Sequence, residues 1–151
     1  MEKTRISDCY ELYPNEFIDH KGKLGVLEGI KDFDNNLINF KRCYFLRDFK
    51  KEQLRGVHAH KKLYQIFIVF NGSGKINIFD GFNSKDIKLK DGSAFLIVPG
   101  IWRELIDFEE ESIVVVLASE LYDTYDYIYE KNNFIEYKKK TIIGWIFFCL
   151  I

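Results

Sequence analysis

Two of the three histidines in this chain are separated by a single residue, in the segment Arg55-Gly-Val-His-Ala-His60. Alternate residues of a β-strand point to the same face, so a strand here would turn both imidazoles to one side of a sheet. An imidazole has an ordinary pKa of about 6.5 and is well suited to accept and return a proton near neutral pH. His58 and His60 therefore indicate proton transfer or metal binding if they face a cavity, and an ordinary surface or core role otherwise.

The spacing beyond the histidines extends to a longer motif. After His60, four residues lead to Gln65 and six more lead to Gly72. This arrangement resembles the first motif of the cupin superfamily, a β-barrel or jelly-roll fold, in which Glu usually takes the place of the glutamine. The second cupin motif is a glycine, an apolar strand, a Pro-Gly turn and a histidine, and it resembles Gly92-Ser-Ala-Phe-Leu-Ile-Val-Pro99-Gly100-Ile-Trp-Arg103. The two motifs together imply a cupin fold.

Two departures from the cupin motifs argue against a metal ion. Gln65 is neutral where a metal-binding cupin has a carboxylate, and Arg103 or Glu104 stands in the place of the third imidazole. A divalent ion would keep only two good ligands, and the guanidinium of Arg103 would repel it. We therefore expect a site without metal or other cofactor. A mononuclear metal site completed by Gln65 and Glu104 is the alternative.

A larger set of segments resembles one group of cupins, the nucleotide-sugar 3,4-ketoisomerases, from about residue 5 to residue 137. The segments are Arg42-Cys-Tyr-Phe-Leu46, Arg55-Gly-Val-His-Ala-His-Lys61, Asn71-Gly-Ser-Gly74, Val98-Pro-Gly-Ile-Trp102 and Leu117-Ala-Ser-Glu-Leu-Tyr-Asp-Thr-Tyr-Asp-Tyr-Ile128. The resemblance implies isomerisation of a dTDP-4-keto-6-deoxy-hexose, in which the carbonyl moves from C4 to C3 without metal or nicotinamide. It also implies a homodimer, for which the run from Thr4 to Ile30 is the candidate pairing segment.

The resemblance assigns roles to the residues that face inward. A hydrogen next to a ketone is removed only if a base lies near it and a donor stabilises the enolate. By similarity we expect His58 to take the proton from C3 and return it to C4. His60 and Tyr44 would hold or pass on the hydroxyl protons, although the division between the two histidines stays open. Tyr44 lies on an alternating run, so it is either part of this pocket or a half-buried strand aromatic.

The diphosphate of such a substrate requires cations, and guanidinium groups suit phosphate oxygens because they donate in pairs. Arg55 and Arg47 are the first choices, while a solvated strand end is the alternative for each arginine. Trp102 could stack on the thymine or form the floor of the pocket, and Arg103, where relatives carry His, would affect how the sugar is held. The candidate substrate-binding residues are Arg42, Arg47, Arg55, Lys61, Gln65, Trp102 and Arg103.

The elements that position these residues are predicted to be strands, because short apolar segments recur between Gly, Asn and Asp residues every eight to twelve residues. Residues Glu120 to Phe134 have apolar side chains at three-to-four spacing and predict a short helix. The fold class is therefore all-β, an RmlC-like cupin or jelly-roll barrel with a short C-terminal helix. The predicted strands are Leu24–Ile30, Leu37–Leu46, Gly56–His60, Gln65–Phe70, Lys75–Asp80, Asp86–Lys90, Ala94–Val98, Trp102–Asp107 and Ser112–Ala118.

Composition supports one globular domain over residues 1–137, since 151 residues with 47% hydrophobic content can bury a single core. Lys+Arg 22 against Asp+Glu 23 argues against a nucleic-acid partner. The three distant cysteines offer no disulfide framework, and residues 1–10 contain no secretory signal, so a cytoplasmic location is expected.

The last segment, residues 138–151, is basic and then apolar. Three lysines precede an apolar stretch of 11 residues from Thr141 to Ile151, whereas a bilayer span needs about 20 residues. No membrane span is therefore predicted, and core-edge packing, a ragged terminus or membrane-surface contact stay open for it.

The favoured function is a metal-independent sugar 3,4-ketoisomerase in the synthesis of deoxyamino sugars for surface polysaccharide. A non-catalytic cupin that binds a nucleotide sugar and a metal-dependent cupin enzyme are the alternatives. The gluco or galacto configuration of the product, and thymidine or uridine as the nucleoside, stay open.

Overall fold

This computed structural model describes residues 4–149, with side chains described for residues 4–141. The alternating apolar segments form β-strands between Tyr10 and Ile128. The strands are β1 (Tyr10–Leu12), β2 (Asn15–Asp19), β3 (Gly22–Val26), β4 (Arg42–Leu46), β5 (Arg55–His60), β6 (Gln65–Asn71), β7 (Ser73–Phe79), β8 (Ser84–Lys90), β9 (Ala94–Ile97), β10 (Trp102–Ile106), β11 (Ile113–Ala118) and β12 (Tyr127–Ile128). One α-helix, α1 (Lys131–Cys149), follows them.

Two five-stranded antiparallel sheets make up the body of the fold. Their strand orders are β1-β9-β6-β11-β4 and β12-β5-β10-β7-β8, and β2 and β3 form a separate hairpin. Apolar side chains from both sheets join one buried cluster, to which Phe67 and Val116 contribute from the first sheet and Ile78 and Leu105 from the second. The predicted all-β cupin or jelly-roll fold is confirmed.

All nine predicted strands overlap observed strands, with differences at their ends. The segment predicted from Leu37 becomes a strand only at Arg42, and the segment predicted over Leu24–Ile30 lies earlier, as β3. Sequence analysis did not predict β1, β2 or β12. Those strands are short or solvent-exposed, so their apolar pattern is weak, and pairing with a neighbouring strand defines them.

The C-terminal helix is confirmed, but its predicted bounds, Glu120 to Phe134, are wrong. Residues Thr124–Asp126 form a short 3-10 turn, capped by Asp123, whose carboxylate accepts a hydrogen bond from the Tyr125 amide at 2.9 Å. The chain then pairs with β5 as β12 before α1 begins at Lys131. The predicted division of the chain between residues 137 and 138 falls inside α1, and that division stays a prediction. No helix in the described residues is long and apolar enough to span a membrane.

Candidate active site

The two histidines lie near the end of β5 and face the interior between the sheets. His58 is paired across the sheet with Arg103 of β10, and His60 is paired with Tyr127 of β12. Their ring centroids are 4.9 Å apart, and the planes of the two rings are nearly perpendicular. Gly56 allows the close approach of β5 to β10, because a Cβ at this position, where φ is +64°, would lie 2.7 Å from a methyl of Leu105. The contact between the two rings shows that they lie on the same side of β5, as predicted from strand alternation.

A cavity of about 430 Å³ opens beside the histidines, within the size range of small-molecule sites. Strands of both sheets line it, so it lies between them. Five residues predicted to be in the site meet there, and apolar and aromatic side chains form the remaining walls. The lining residues are Arg42, Tyr44, Leu46, Arg55, Gly56, His58, Phe67, Arg103, Leu105, Tyr122 and Tyr127.

His60 is 3% exposed and is held by a buried carboxylate, that of Asp126. Its Nδ1 lies 2.8 Å from Oδ2 of Asp126. Burial lowers the pKa of His60 to about 4, against the opposing effect of Asp126. Burial by itself would raise the pKa of Asp126, but its hydrogen bonds to His60 and to two backbone amides hold that pKa below the usual value. His60 is therefore neutral at pH 7, beside an ionised carboxylate.

His58 is in contact with the buried guanidinium of Arg103. Nη2 of Arg103 lies 2.5 Å from Nε2 of His58, and Nη1 donates to the His58 carbonyl at 2.8 Å. A guanidinium can only donate, so Nε2 of His58 carries a lone pair. Burial, the charge of Arg103 and the neighbouring His60 lower the pKa of His58 to about 2. Both imidazoles are therefore neutral acceptors near pH 7.

Tyr44 is oriented by Gln65, the residue at the carboxylate position of the cupin motif. The side-chain amide of Gln65 donates to the Tyr44 hydroxyl oxygen at 2.6 Å. The Tyr44 proton is thereby left for another acceptor, and burial raises the pKa of Tyr44, so the phenol stays neutral. Gln65 is itself buried and does not line the cavity, so it acts through Tyr44.

Besides Gln65, three predicted substrate contacts lie away from the cavity. Arg47 is exposed, over the Phe45 ring and beside Asp48. Lys61 donates to the backbone carbonyl of Tyr125 at 2.7 Å. Trp102 is buried on the opposite side of β10 from Arg103, because adjacent residues of a strand point to opposite faces, and it packs against α1 through Phe134. These three residues are left out of the site that we propose.

Sequence analysis missed three residues of the site, Asp126, Tyr127 and Tyr122. They lie in the segment that was predicted as a helix. The Tyr127 ring centroid is 4.2 Å from that of His60 and 4.8 Å from that of His58. The signal in the sequence is the DxxDY segment after the last long strand, but an apolar spacing of three to four residues obscured it.

The residues at the site do not fit a mononuclear metal ion completed by Gln65 and Glu104, the alternative left open by the sequence. Glu104 faces away from the cavity, where it accepts a hydrogen bond from the Trp102 indole at 2.8 Å. The side-chain amide of Gln65 is hydrogen-bonded to Tyr44, and Nε2 of His58 accepts a hydrogen bond from the Arg103 guanidinium. Within the described residues, no cluster of three or more His, Cys, Asp or Glu side chains is arranged to hold a metal.

Acid is expected to destabilise the fold through these two histidines. In the unfolded chain both take up protons near pH 6.5, whereas in the folded chain His60 does so near 4 and His58 near 2. Stability is therefore complete above pH 6.5 and is lost as the pH falls. His60 alone accounts for roughly 3 kcal/mol of the free energy of unfolding between those limits.

Urea unfolding at several pH values measures this loss. The double variant His58→Asn/His60→Asn should show a flatter pH dependence, while His20→Asn, at an exposed position, should keep the wild-type slope. An equal slope in the wild type and the double variant would contradict the assignment.

Comparison with known proteins found a matching family model and a similar curated protein. The family model FdtA (WxcM-like, C-terminal) matches residues 7–139. A TDP-4-oxo-6-deoxy-alpha-D-glucose-3,4-oxoisomerase of Aneurinibacillus thermoaerophilus is 38% identical over 126 residues, which cover 83% of this chain and 88% of that protein.

Two solved structures are similar to this chain over most of their length. The first is QdtA, a sugar 3,4-ketoisomerase from Thermoanaerobacterium thermosaccharolyticum in complex with TDP, with a TM-score of 0.80, 34% identity and coverage of 91% of this chain and 98% of that one. The second is a 3,4-ketoisomerase from Helicobacter canadensis, with a TM-score of 0.79, 32% identity and coverage of 87% and 98%.

Proposed function

The chain belongs to the FdtA family (WxcM-like, C-terminal), and from this premise we propose that it is an isomerase that converts dTDP-4-keto-6-deoxy-glucose into a dTDP-3-keto-6-deoxy-hexose. One observation carries the proposal. The neutral imidazole of His58, a neutral phenol and a guanidinium line one cavity between the sheets, and the neutral imidazole of His60 packs against His58. Such groups can move a carbonyl by proton transfer alone.

The reaction moves two protons and no net electrons. A base removes the proton from C3 while the C4 carbonyl becomes an enolate, and the enolate oxygen takes up a proton to give a 3,4-enediol. The O3 hydroxyl then loses its proton as a proton is delivered to C4. The product has a carbonyl at C3 and a hydroxyl at C4. The site therefore needs one group that exchanges a proton with carbon and others that exchange protons with oxygen.

His58 is the group that we assign to the carbon atoms. It lines the cavity, and its Nε2 carries a lone pair that accepts a hydrogen bond from the Arg103 guanidinium. The charge of Arg103 lowers the pKa of His58 and so weakens it as a base. When Nη2 of Arg103 donates instead to the developing enolate oxygen, Nε2 of His58 becomes free to accept the proton from carbon. The same donor then stabilises the negative charge on oxygen.

Tyr44 and His60 are assigned to the oxygen atoms. The Tyr44 proton is available because its hydroxyl oxygen already accepts from Gln65. His60 is buried behind His58, and its ring lies beside that of Tyr127. Tyr44 can give its proton to O4 and become a phenolate, and His60 can take the O3 proton and become an imidazolium. Return of one proton from His60 to Tyr44 then restores both groups.

Arg42 and Arg55 are assigned to the diphosphate. Both line the cavity, and Nε of Arg42 is buried without a hydrogen-bond partner in residues 4–141. The Arg42 guanidinium lies over the rings of Tyr44 and Tyr122, at 5.3 and 5.7 Å from their centroids. An unpaired buried donor of this kind is satisfied when a phosphate oxygen binds to it.

NMR of dTDP-4-keto-6-deoxy-glucose incubated with the enzyme in D₂O and EDTA tests the function. We expect a 3-keto product, formed at the same rate with and without EDTA, and its C4 configuration can be read from the same spectra. Loss of activity in EDTA with recovery in Zn²⁺ or Fe²⁺ would contradict the proposal. Binding of the nucleotide sugar by calorimetry, without product or exchange at C3, would indicate a non-catalytic binding protein.

The proposal extends to assembly and cellular role. The hairpin β2–β3 exposes Phe17 at 62% and Leu24 at 60%, and a second copy of this chain is the partner that we propose to cover it. Sedimentation of wild type and of Phe17→Ser/Leu24→Ser should show a dimer and a monomer, respectively, and a monomeric wild type would contradict the dimer. The cellular role that we propose is cytoplasmic synthesis of a deoxyamino sugar for a surface polysaccharide such as lipopolysaccharide.

A further inference from the structure

The carboxylate of Asp126 divides its two oxygens between different partners. Oδ2 lies 2.8 Å from Nδ1 of His60. Oδ1 accepts hydrogen bonds from the backbone amides of Lys61 and Lys62, at 3.1 and 2.7 Å. The side chain is 8% exposed, so these contacts form in a largely buried setting. One residue therefore fixes both the chain that follows His60 and the orientation of the His60 ring.

The contact with Asp126 decides which nitrogen of His60 carries the proton. An ionised carboxylate can only accept, so Nδ1 of His60 must be the protonated nitrogen. Nε2 then carries the lone pair. In the described residues this atom is buried and has no hydrogen-bond partner. A buried acceptor without a partner is costly, which points to a ligand as the group that satisfies it.

The rings that pack against His60 line the cavity proposed to hold the sugar. The ring of His58, which lines that cavity, is 4.9 Å from the His60 ring, and the ring of Tyr127, a further lining residue, is at 4.2 Å. The charged groups acting on His60 are Arg103 and Arg42, which disfavour a second proton, and Asp126, which favours it. Asp126 is thus the group in this set that makes His60 a better acceptor.

We propose that Asp126 is a positioning residue for the isomerisation, and that it holds His60 in the tautomer whose Nε2 accepts the O3 hydroxyl proton. This inference rests on the proposed function. The negative charge of Asp126 also stabilises the imidazolium that forms when His60 takes up the proton. If Asp126 only held the backbone in place, Oδ1 would be sufficient, whereas Oδ2 contacts Nδ1 of the His60 ring.

Asp126→Asn separates these two roles. The amide oxygen can still accept from Lys61 and Lys62, while the amide NH₂ now faces Nδ1 and favours the opposite tautomer. We expect kcat to fall by roughly a hundredfold, with KM within about threefold, and the acid limb of kcat/KM to move to lower pH. Asp126→Glu keeps the carboxylate and should recover part of kcat. Asp123→Asn, which alters only the neighbouring cap, should keep wild-type activity.

Nitrogen-15 NMR of the ligand-free protein supplies a test that does not depend on turnover. The wild type should show His60 protonated at Nδ1, and Asp126→Asn should show it protonated at Nε2. A wild-type spectrum with the opposite tautomer would overturn the inference, as would an Asp126→Asn enzyme with the switched tautomer and unchanged kcat. If Asp126→Asn does not fold, the wild-type spectrum and Asp126→Glu kinetics decide the matter. A wild type that does not isomerise the keto sugar refutes the proposed function, and with it the catalytic role of Asp126, while the spectrum still reports the Asp126–His60 pair.

Discussion

Replacing His58 with asparagine is expected to lower kcat roughly a thousandfold, within the range that a general base contributes. His58 faces the cavity and carries its lone pair on Nε2, whereas the asparagine amide cannot accept and return a proton near pH 7. The nucleotide sugar should still bind, because the arginines assigned to the diphosphate are unchanged. Single-turnover NMR should therefore show bound substrate with neither a 3-keto product nor deuterium at C3.

His20→Asn is the matched control for this variant. It makes the same substitution at an exposed histidine, in the turn between β2 and β3, and it should keep the wild-type rate. His60→Asn should lose the isomerisation but retain exchange at C3, because His60 is assigned to oxygen and not to carbon. If His58→Asn still exchanges the C3 hydrogen and His60→Asn does not, the assignment of the two rings must be reversed.

Arg103→Met is expected to lower kcat by roughly a hundredfold to a thousandfold, the loss that follows removal of a donor to a developing oxyanion. The guanidinium is buried and hydrogen-bonded to His58, the group assigned to the carbon atoms, and we propose that it stabilises the C4 oxygen. The pKa of His58 should rise at the same time, because a neighbouring positive charge has been removed, but burial should keep it below the ordinary value.

Two measurements separate these effects of Arg103. Kinetics report the loss of the donor, and an NMR pH titration reports the pKa of His58. Arg103→Lys keeps a charge without the paired donors and should be impaired in kcat, with a smaller rise in that pKa. Arg47→Met, at an exposed arginine outside the cavity, should match the wild type in both measurements. An Arg103→Met enzyme with kcat within threefold of wild type would contradict the role of this residue.

The fold was largely predictable because its information is local. Apolar runs between turns such as Asn71-Gly72 and Asp91-Gly92 marked the strands, and β6, β9 and β11 were located within one or two residues. The structure of the segment from Glu120 to Phe134 was predicted wrongly, because the spacing of apolar residues alone cannot show that Tyr127 pairs with the edge of β5. Tertiary pairing outweighed a weak helical pattern there.

The histidine pair and its common face followed from the sequence, since alternation along a strand needs no knowledge of the rest of the molecule. Arg42, Tyr44 and Arg103 were candidates from the sequence, Tyr44 with a half-buried strand aromatic as the alternative, and all three line the cavity. Which cations enter that pocket was not decided locally. Arg55 lines it, whereas Arg47 lies outside on the other face of β4, over Phe45.

The electrostatic state of the site depended on tertiary structure alone. Asp126 is 66 residues from His60 along the chain, and Arg103 is 45 residues from His58. Sequence could identify two imidazoles as candidate bases, but their protonation and tautomers are set by partners that meet only when the two sheets close. Hydrogen bonds and burial act over a few ångströms in space, whatever the separation along the chain, and for that reason the chemistry of this pocket required the folded structure.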